Sequence, residues 1–305
     1  MCGYCGFRRD IEHPEASLLT FEDVTGILER GARAGCSEAL FTFGERPVEV
    51  EGFIPMLNKL GYDSIIDYLF ELCRISIKIG LLPHSNPGIL KKEEFKKLKS
   101  VNASMGLMLE TVGDINAHKG CPGKVTGERL KTIKYAGELK IPFTTGILVG
   151  IGETWDDRVR SIEAIKELHE EFGHIQEVII QNFLPKTETS MASWPAPGID
   201  EMIKTVSMAR KTLPHDVAIQ VSPNLISPKE LIKCGAQDLG GISPVTIDHI
   251  NPECAWPNLK KLESIAPLRE RLPIYPQYVK KSWYSRELAP LIQKLSDIEG
   301  FRKTY

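Results

Sequence analysis

Short apolar runs that break off at polar or glycine residues, each followed by a helical pattern, recur along this chain. That repeat constrains the fold more than any single motif. The run 39–43 stops at Gly44-Glu45-Arg46-Pro47, and a weak strand near 77–82 stops at Pro83-His84-Ser85-Asn86-Pro87-Gly88. The run 104–109 stops at Glu110-Thr111, and 143–149 stops at Gly150-Ile151-Gly152-Glu153. Next, 178–180 runs into Gln181-Asn182, 218–221 ends at Ser222-Pro223-Asn224, and 238–243 is a Gly-rich strand. Between them lie helical stretches. Thr20 with Asp23 approximates a capping box ahead of the stripe Val24, Ile27, Leu28 and Ala32, which Gly35 ends. Further helices are expected at 53–73, 91–98, 126–139 and, capped by Thr154 with Asp157, along Trp155, Val159, Ile162, Ile165 and Phe172. Another covers 201–213, and Ser227-Pro228-Lys229-Glu230 predicts a capping box with Pro at the first helical position. From 258 a closing helix to about 271, a Pro/Tyr-rich loop over 272–283, a helix at 285–295 and a charged tail are expected.

Seven strand–helix units at this spacing are the grammar of right-handed βα repeats. In a (β/α) barrel the polar C-terminal strand ends build the site. A doubly wound open sheet places ligands at the same ends and stays open as an alternative. With 305 residues, 42% of them hydrophobic, one domain over 1–305 is expected, with about 258–305 as its closing helices and tail. A net charge of −2 gives no electrostatic case for nucleic acid or an acidic membrane. No apolar run approaches the roughly 18–20 residues that span a bilayer. The seven cysteines are odd in number and scattered, which fits a reducing cytoplasm better than a disulfide framework. Cys36 and Cys73 sit in apolar helical context as inert core thiols.

Two other cysteines open the chain, in Met1-Cys2-Gly3-Tyr4-Cys5-Gly6-Phe7. By spacing alone this is half of a zinc site, a redox dithiol, or the tail of an iron–sulfur cluster motif. The chain begins one residue before Cys2, so the motif is expected to have been cut. A cysteine three residues before Met1, with an apolar strand ahead of it as the eighth unit, is the corresponding expectation.

The stretch resembles the end of the radical S-adenosylmethionine (SAM) motif, Cys-x-x-x-Cys-x-aromatic-Cys. The order of Gly44-Glu45-Arg46-Pro47, Leu81 to Gly88, Gly106 to Thr111, Ile141 to Thr154, Gln181 to Lys186 and Asp238 to Pro244 is similar, over nearly the whole chain, to the CofG family. That family is a subunit of 7,8-didemethyl-8-hydroxy-5-deazariboflavin (FO) synthase. The resemblance implies an α/β fold, a radical SAM (β/α) TIM-type barrel with its first strand missing from this chain. It implies a lyase of deazaflavin coenzyme biosynthesis that holds a [4Fe–4S] cluster and binds SAM. Cys2 and Cys5 would be cluster ligands, two of the family's three. The implied substrate is the uracil–tyrosine adduct 5-amino-5-(4-hydroxybenzyl)-6-(D-ribitylimino)-5,6-dihydrouracil, supplied by a CofH-type subunit. A low-potential electron donor is also implied.

The resemblance assigns SAM contacts to Tyr4, Gly44, Glu45, Glu110, Arg129, Gly150, Ile151 and Gly152, and substrate contacts to His84, Gln181 and Asn182. Each has a plainer reading. Glu45 could start a turn with Gly44, and Arg129 could be a solvated helix residue. His84, Gln181 and Asn182 could be satisfied strand ends. Glu110 ends an apolar strand, where a buried carboxylate needs a partner. Asp248, His249 and Cys254 read as loop more readily than as chemistry. Gly150-Ile151-Gly152 lacks the third glycine of a nicotinamide fingerprint, since Trp155 stands there. A CofH-type or menaquinone-pathway relative, a thiol–disulfide enzyme on a barrel, and a cluster-free scaffold that binds a partner subunit are the other readings.

Overall fold

The computed structural model describes residues 2–9 and 12–303. In chain order the elements begin with α1 (Phe21–Arg33), β1 (Glu38–Thr42), α2 (Phe53–Lys59), α3 (Ile65–Ile79), β2 (Leu82–Asn86), α4 (Lys92–Lys99) and β3 (Ser104–Gly106). They continue with α5 (Thr126–Glu138), β4 (Phe143–Val149), α6 (Trp155–Phe172), β5 (Ile175–Asn182), α7 (Ile199–Thr212), β6 (Ala218–Gln220) and α8 (Pro228–Lys233). The short helices α9 (Leu259–Glu263), α10 (Pro276–Lys280) and α11 (Ala289–Leu295) follow. The chain forms two compact units. The first holds Met1–Phe7, Leu107–Gly137 and Phe143–Leu268; the second holds Arg8–Gly106, Glu138–Pro142 and Arg269–Tyr305.

In the first unit β4 runs parallel to β5, from Thr144 opposite Glu177 to Val149 opposite Asn182, and β5 runs parallel to β6. Every residue of β4 is buried, as parallel strands covered on both faces require. Gly146 is fixed by that packing, because a Cβ there would lie 2.2 Å from the Ile179 carbonyl oxygen. The expected cap of α6 is present: Thr154 and Asp157 bond each other's backbone N–H. Ile162 and Ile165 on its inner face are fully buried.

In the second unit β1 pairs parallel with β2, and β2 with β3. The Thr20–Asp23 capping box opens α1 as expected. Leu82 and Ala103 pack with Leu272, Ile274, Tyr278, Leu288 and Ile292, so the C-terminal segment belongs to the core of this unit.

Several expected boundaries move. The helix 53–73 is two helices, because Gly61 at φ +84° stops α2. The strand expected at 77–82 lies at 82–86: Ile77 to Ile79 finish α3, and Gly80 at φ +100° caps it. Ile77 and Ile79 are half-buried there, and Ile77 packs against the core of this unit. The Gly-rich run 238–243 makes one bridge, Gln220 to Asp238, and no strand. Gly240 at φ +73° turns it away after Asp238. Ser227 makes no side-chain cap bond, although Pro228 does open α8. The closing helix expected over 258–271 is only α9, and the loop 272–283 contains α10. Among the described residues no helix is long and apolar enough to cross a membrane.

Candidate active site

The two-cysteine loop of the first unit is a tight turn, with Cys5 N–H donating to the Cys2 carbonyl at 3.2 Å. Gly3 N–H donates to Ala117 O at 2.9 Å, and Gly3 O accepts from Met191 N–H at 3.1 Å and from the Ser190 hydroxyl. A Cβ on Gly3 would meet Ser190 Oγ at 2.7 Å, so a larger residue would displace the hydroxyl that bonds Gly3 O. Both thiols are free and half-buried. Burial pushes the Cys2 thiol up to about 11 against the opposing pull of the Lys124 ammonium.

Between the cysteines, Tyr4 reaches inward. Its hydroxyl donates to Glu110 Oε2 at 2.5 Å and lies 2.9 Å from His118 Nε2. Glu110 Oε1 accepts from the Lys124 ammonium. Glu110 itself is 9% exposed and sits at φ +69°, in the left-handed region that a residue with a Cβ rarely adopts. Its main chain is clamped there, since its N–H donates to Gly146 O at 2.9 Å and its carbonyl accepts from Leu148 N–H at 3.1 Å. Left-handed non-glycine residues concentrate at functional sites. Burial alone would raise the Glu110 pKa. The Lys124 and Arg129 charges, with the bonds from Lys124 and Tyr4, override it and hold the carboxyl at about 2. Burial drives His118 the other way, down to about 4, so its ring is neutral. Burial and the Glu110 charge keep Tyr4 protonated.

Arg129 enters from α5. Its Nε donates to Met108 O at 2.8 Å and its Nη1 to Gly123 O at 2.7 Å, while Nη2 lies 3.8 Å from Glu110 Oε1. The guanidinium therefore ties the main chain two residues before Glu110 to the turn that carries Lys124. A cavity of about 290 Å³ opens beside this cluster, lined by Ile115, His118, Lys119, Cys121, Lys124 and Thr126.

The Gly-rich loop after β4 meets the same tyrosine. Ile151 is buried with Ile115, Leu148, Phe183 and Met191, and Tyr4 packs against that group. Gly150 and Gly152 take φ +98° and +103°. The Glu153 carboxylate accepts from Gly150 N–H and Ile151 N–H, each at 2.8 Å, and Arg158 braces it at 2.7 Å. At the end of β5, Asn182 is 3% exposed and Gln181 half-buried. Beyond β6, Asp248 accepts from Asn224 and Asn251 side chains, so it organises loops. The Cys254 carbonyl also accepts from Asn224, and Cys254 N–H donates to Asn251 O.

The remaining expected residues belong to the second unit. Glu45, after Gly44, is half-buried, and its Oε1 accepts from Ile89 N–H at 2.5 Å. It lies over Gly88, where a Cβ would be 2.5 Å from Oε1. His84 Nδ1 is 2.6 Å from Ser104 Oγ, whose proton goes to Pro273 O, so Nδ1 is the donor to Ser104. His84 Nε2 lies 3.2 Å from Asn86 Oδ1.

Tyr4, Glu110, Arg129 and Ile151 were expected and share one neighbourhood. His118 and Lys124, which complete it, carried no expectation. The signal was their place between Glu110 and Arg129, in the polar stretch Asn116 to Lys124.

A radical SAM superfamily profile matches residues 1–165. The chain is 57% identical over 305 residues to the 7,8-didemethyl-8-hydroxy-5-deazariboflavin synthase of Methanosarcina mazei, covering 99% of this chain and 91% of that protein. It is 51% identical to the synthase of the same name from Archaeoglobus fulgidus, over 99% of this chain and 93% of that one. Among solved structures, the FeFe-hydrogenase maturase HydG from Carboxydothermus hydrogenoformans superposes with TM-score 0.68 at 16% identity, over 97% of this chain and 75% of that one. Methylornithine synthase (PylB) follows at 0.60 and 19%, over 100% and 79%. These likenesses show the α/β fold of the class that the sequence led us to expect. The chain belongs to the radical SAM superfamily and is an enzyme of it. Within that superfamily it belongs to the 7,8-didemethyl-8-hydroxy-5-deazariboflavin synthase family.

The donor set suits the cofactors of that class. Cys2 and Cys5 offer two soft sulfur ligands on one turn, which suits iron; burial keeps Cys2 a thiol until a metal displaces its proton, and the Lys124 ammonium offsets part of that burial. Among the described residues no group of three His, Cys, Asp or Glu side chains is gathered for a metal ion.

Proposed function

We propose that this chain converts 5-amino-5-(4-hydroxybenzyl)-6-(D-ribitylimino)-5,6-dihydrouracil to FO with loss of ammonia, while SAM goes to methionine and 5′-deoxyadenosine. What carries this reading is 57% identity to a synthase of that name in a chain whose two-cysteine loop bonds Glu110 through Tyr4 and packs on the apolar group that holds Ile151. Cys2 and Cys5 would hold a [4Fe–4S] cluster, which when bound supplies the electron for SAM cleavage.

The protein's own groups bind, orient and exclude. In the first unit the Tyr4 ring and the turn Gly150 to Gly152, braced by Glu153, are proposed contacts for the adenine side of SAM. Glu110, ionised and clamped, is an acceptor for SAM hydroxyl or ammonium donors. Arg129 holds that acceptor in place and adds positive potential toward the SAM carboxylate. Gln181 and Asn182, at the end of β5, are proposed contacts of the polar uracil part. In the second unit Gly44 and Glu45 keep a proposed role toward the SAM ammonium, and His84, with Nδ1 fixed by Ser104, toward the substrate. Burial of the reacting centre keeps water and other hydrogen donors from a carbon radical. A CofH-type subunit would supply the adduct and a low-potential donor the electron, in the reducing cytoplasm that free thiols fit.

The test is anaerobic reconstitution with iron and sulfide, then incubation with reductant, SAM and the synthetic adduct. FO, identified by mass and fluorescence, should form with ammonia and 5′-deoxyadenosine. Turnover of SAM that leaves the adduct intact, or a different product, would overturn the assignment.

A further inference from the structure

We propose that His118 is a positioning residue for the two-cysteine loop: its Nε2–H fixes the Tyr4 hydroxyl on Glu110 and so sets where Cys2 and Cys5 point. The argument is one of proton count. A phenol has a single hydroxyl proton, and an ionised carboxylate can only accept. At 2.5 Å from Glu110 Oε2, the Tyr4 proton goes to Glu110. The second contact of that oxygen, 2.9 Å from His118 Nε2, therefore requires Nε2 to be the donor. The two rings are tilted by 57° with centroids 5.7 Å apart, so they meet through this bond and not by stacking.

His118 also ends the 3-10 turn Asn116–His118, whose middle carbonyl, that of Ala117, accepts Gly3 N–H at 2.9 Å. Two adjacent residues of one turn thus hold two adjacent residues of the loop, one through its main chain and one through its side chain. Gly3 and Tyr4 are the spacer between the cysteines, and Cys5 N–H closes back on the Cys2 carbonyl. Orienting the spacer orients both thiols. His118 donates, Tyr4 relays and Glu110 receives, and Lys124 holds the far oxygen of the carboxylate.

The proposal rests on the cluster reading of Cys2 and Cys5 only for its consequence, so the test has an arm that needs no cofactor. The full chain, free of iron, is treated with iodoacetamide, and alkylation of each cysteine is followed by peptide mass spectrometry with Cys36 as internal reference. His118→Phe should raise labelling of Cys2 and Cys5 about three- to tenfold, the worth of one neutral hydrogen bond. Tyr4→Phe removes that bond and the one to Glu110 as well, so it should raise labelling at least as much, and the double variant should go no further than Tyr4→Phe alone, because the His118 bond is already gone there. His118→Gln, which keeps an N–H donor, should return the rates close to wild type. Unchanged rates, multiplying effects in the double variant, or a parallel rise at Cys36 would overturn the clamp. After reconstitution, His118→Phe should also retain less iron per chain than His118→Gln. Faster labelling with iron content unchanged would support the clamp and overturn the cluster reading of the cysteines.

Discussion

Glu110 and Glu45 both follow parallel strands, and both were expected to meet SAM, yet the chain treats them differently. Glu110 sits on strained backbone, buried and ionised, with Tyr4 on one oxygen and Lys124 on the other. Glu45 is half-buried on a turn, and the partner that defines it is a main-chain N–H over a glycine. The first is a charge stabilised by other side chains, so changing it should disturb a network. The second accepts from the main chain at residue 89, so changing it should disturb less. Position at a strand end is therefore not enough to define a role. The backbone conformation and the partners decide it.

The largest effect that separates the two should come from Glu110→Gln. It leaves Lys124, whose side chain is 11% exposed, without its counter-charge, a change that costs about 3 kcal/mol, the lower end for a buried pair. Urea unfolding at neutral pH should show the loss, and a loss below about 1 kcal/mol would mean that the pair is solvated. The same carboxylate should appear in the acid limb of stability. Its folded pKa, about 2, lies below its ordinary 4.5, so it contributes stability that is complete above pH 4.5 and declines as pH falls toward 2. The wild type should lose up to about 1.4 kcal/mol per pH unit in that window. The corresponding slope should be missing from Glu110→Gln, and parallel curves would contradict the assignment. Gly150→Ala should rank next, at about 1–2 kcal/mol, because it puts a Cβ at φ +98° and 2.9 Å from Pro197 Cδ. An unchanged melting temperature would show that the loop relaxes freely. The smallest effect should be that of Glu45→Ala, about 1 kcal/mol for one lost acceptor, with Glu45→Gln restoring most of it. If Glu45→Ala instead destabilised as much as Glu110→Gln, the contrast between the two carboxylates would fail.

The local parts of the fold were legible in the sequence. Thr20–Asp23 and Thr154–Asp157 specify their caps within four residues, and β4 is long and apolar enough to show as a strand. β2 was hidden because Pro83, His84 and Ser85 look like loop. They form a strand because neighbours on both sides supply its pairing and burial. The break at Gly61 depends on a positive φ that hydrophobic periodicity does not encode. The stretch 272–283 read as loop because its apolar residues follow no single period; Leu272, Ile274 and Tyr278 pack with Leu82 of β2 and Ala103. In the site, Tyr4, Glu110, Arg129 and Ile151 were visible only through family resemblance. His118 and Lys124 lie in 3-10 turns with no periodic pattern, and their meaning comes from contacts made across more than 100 residues of sequence in one case and through an ion pair in the other.

The most direct measurement is calorimetric titration of SAM into anaerobically reconstituted wild-type and Glu110→Gln protein, with iron per chain determined in each. A charge-assisted hydrogen bond is worth about 1.5–3 kcal/mol, so the variant should bind SAM about ten- to a hundredfold more weakly. Affinity is compared per cluster-loaded chain, because Glu110 also receives the Tyr4 hydroxyl of the two-cysteine loop. Equal SAM affinity in the two proteins would contradict the placing of SAM at the Tyr4–Glu110 cluster.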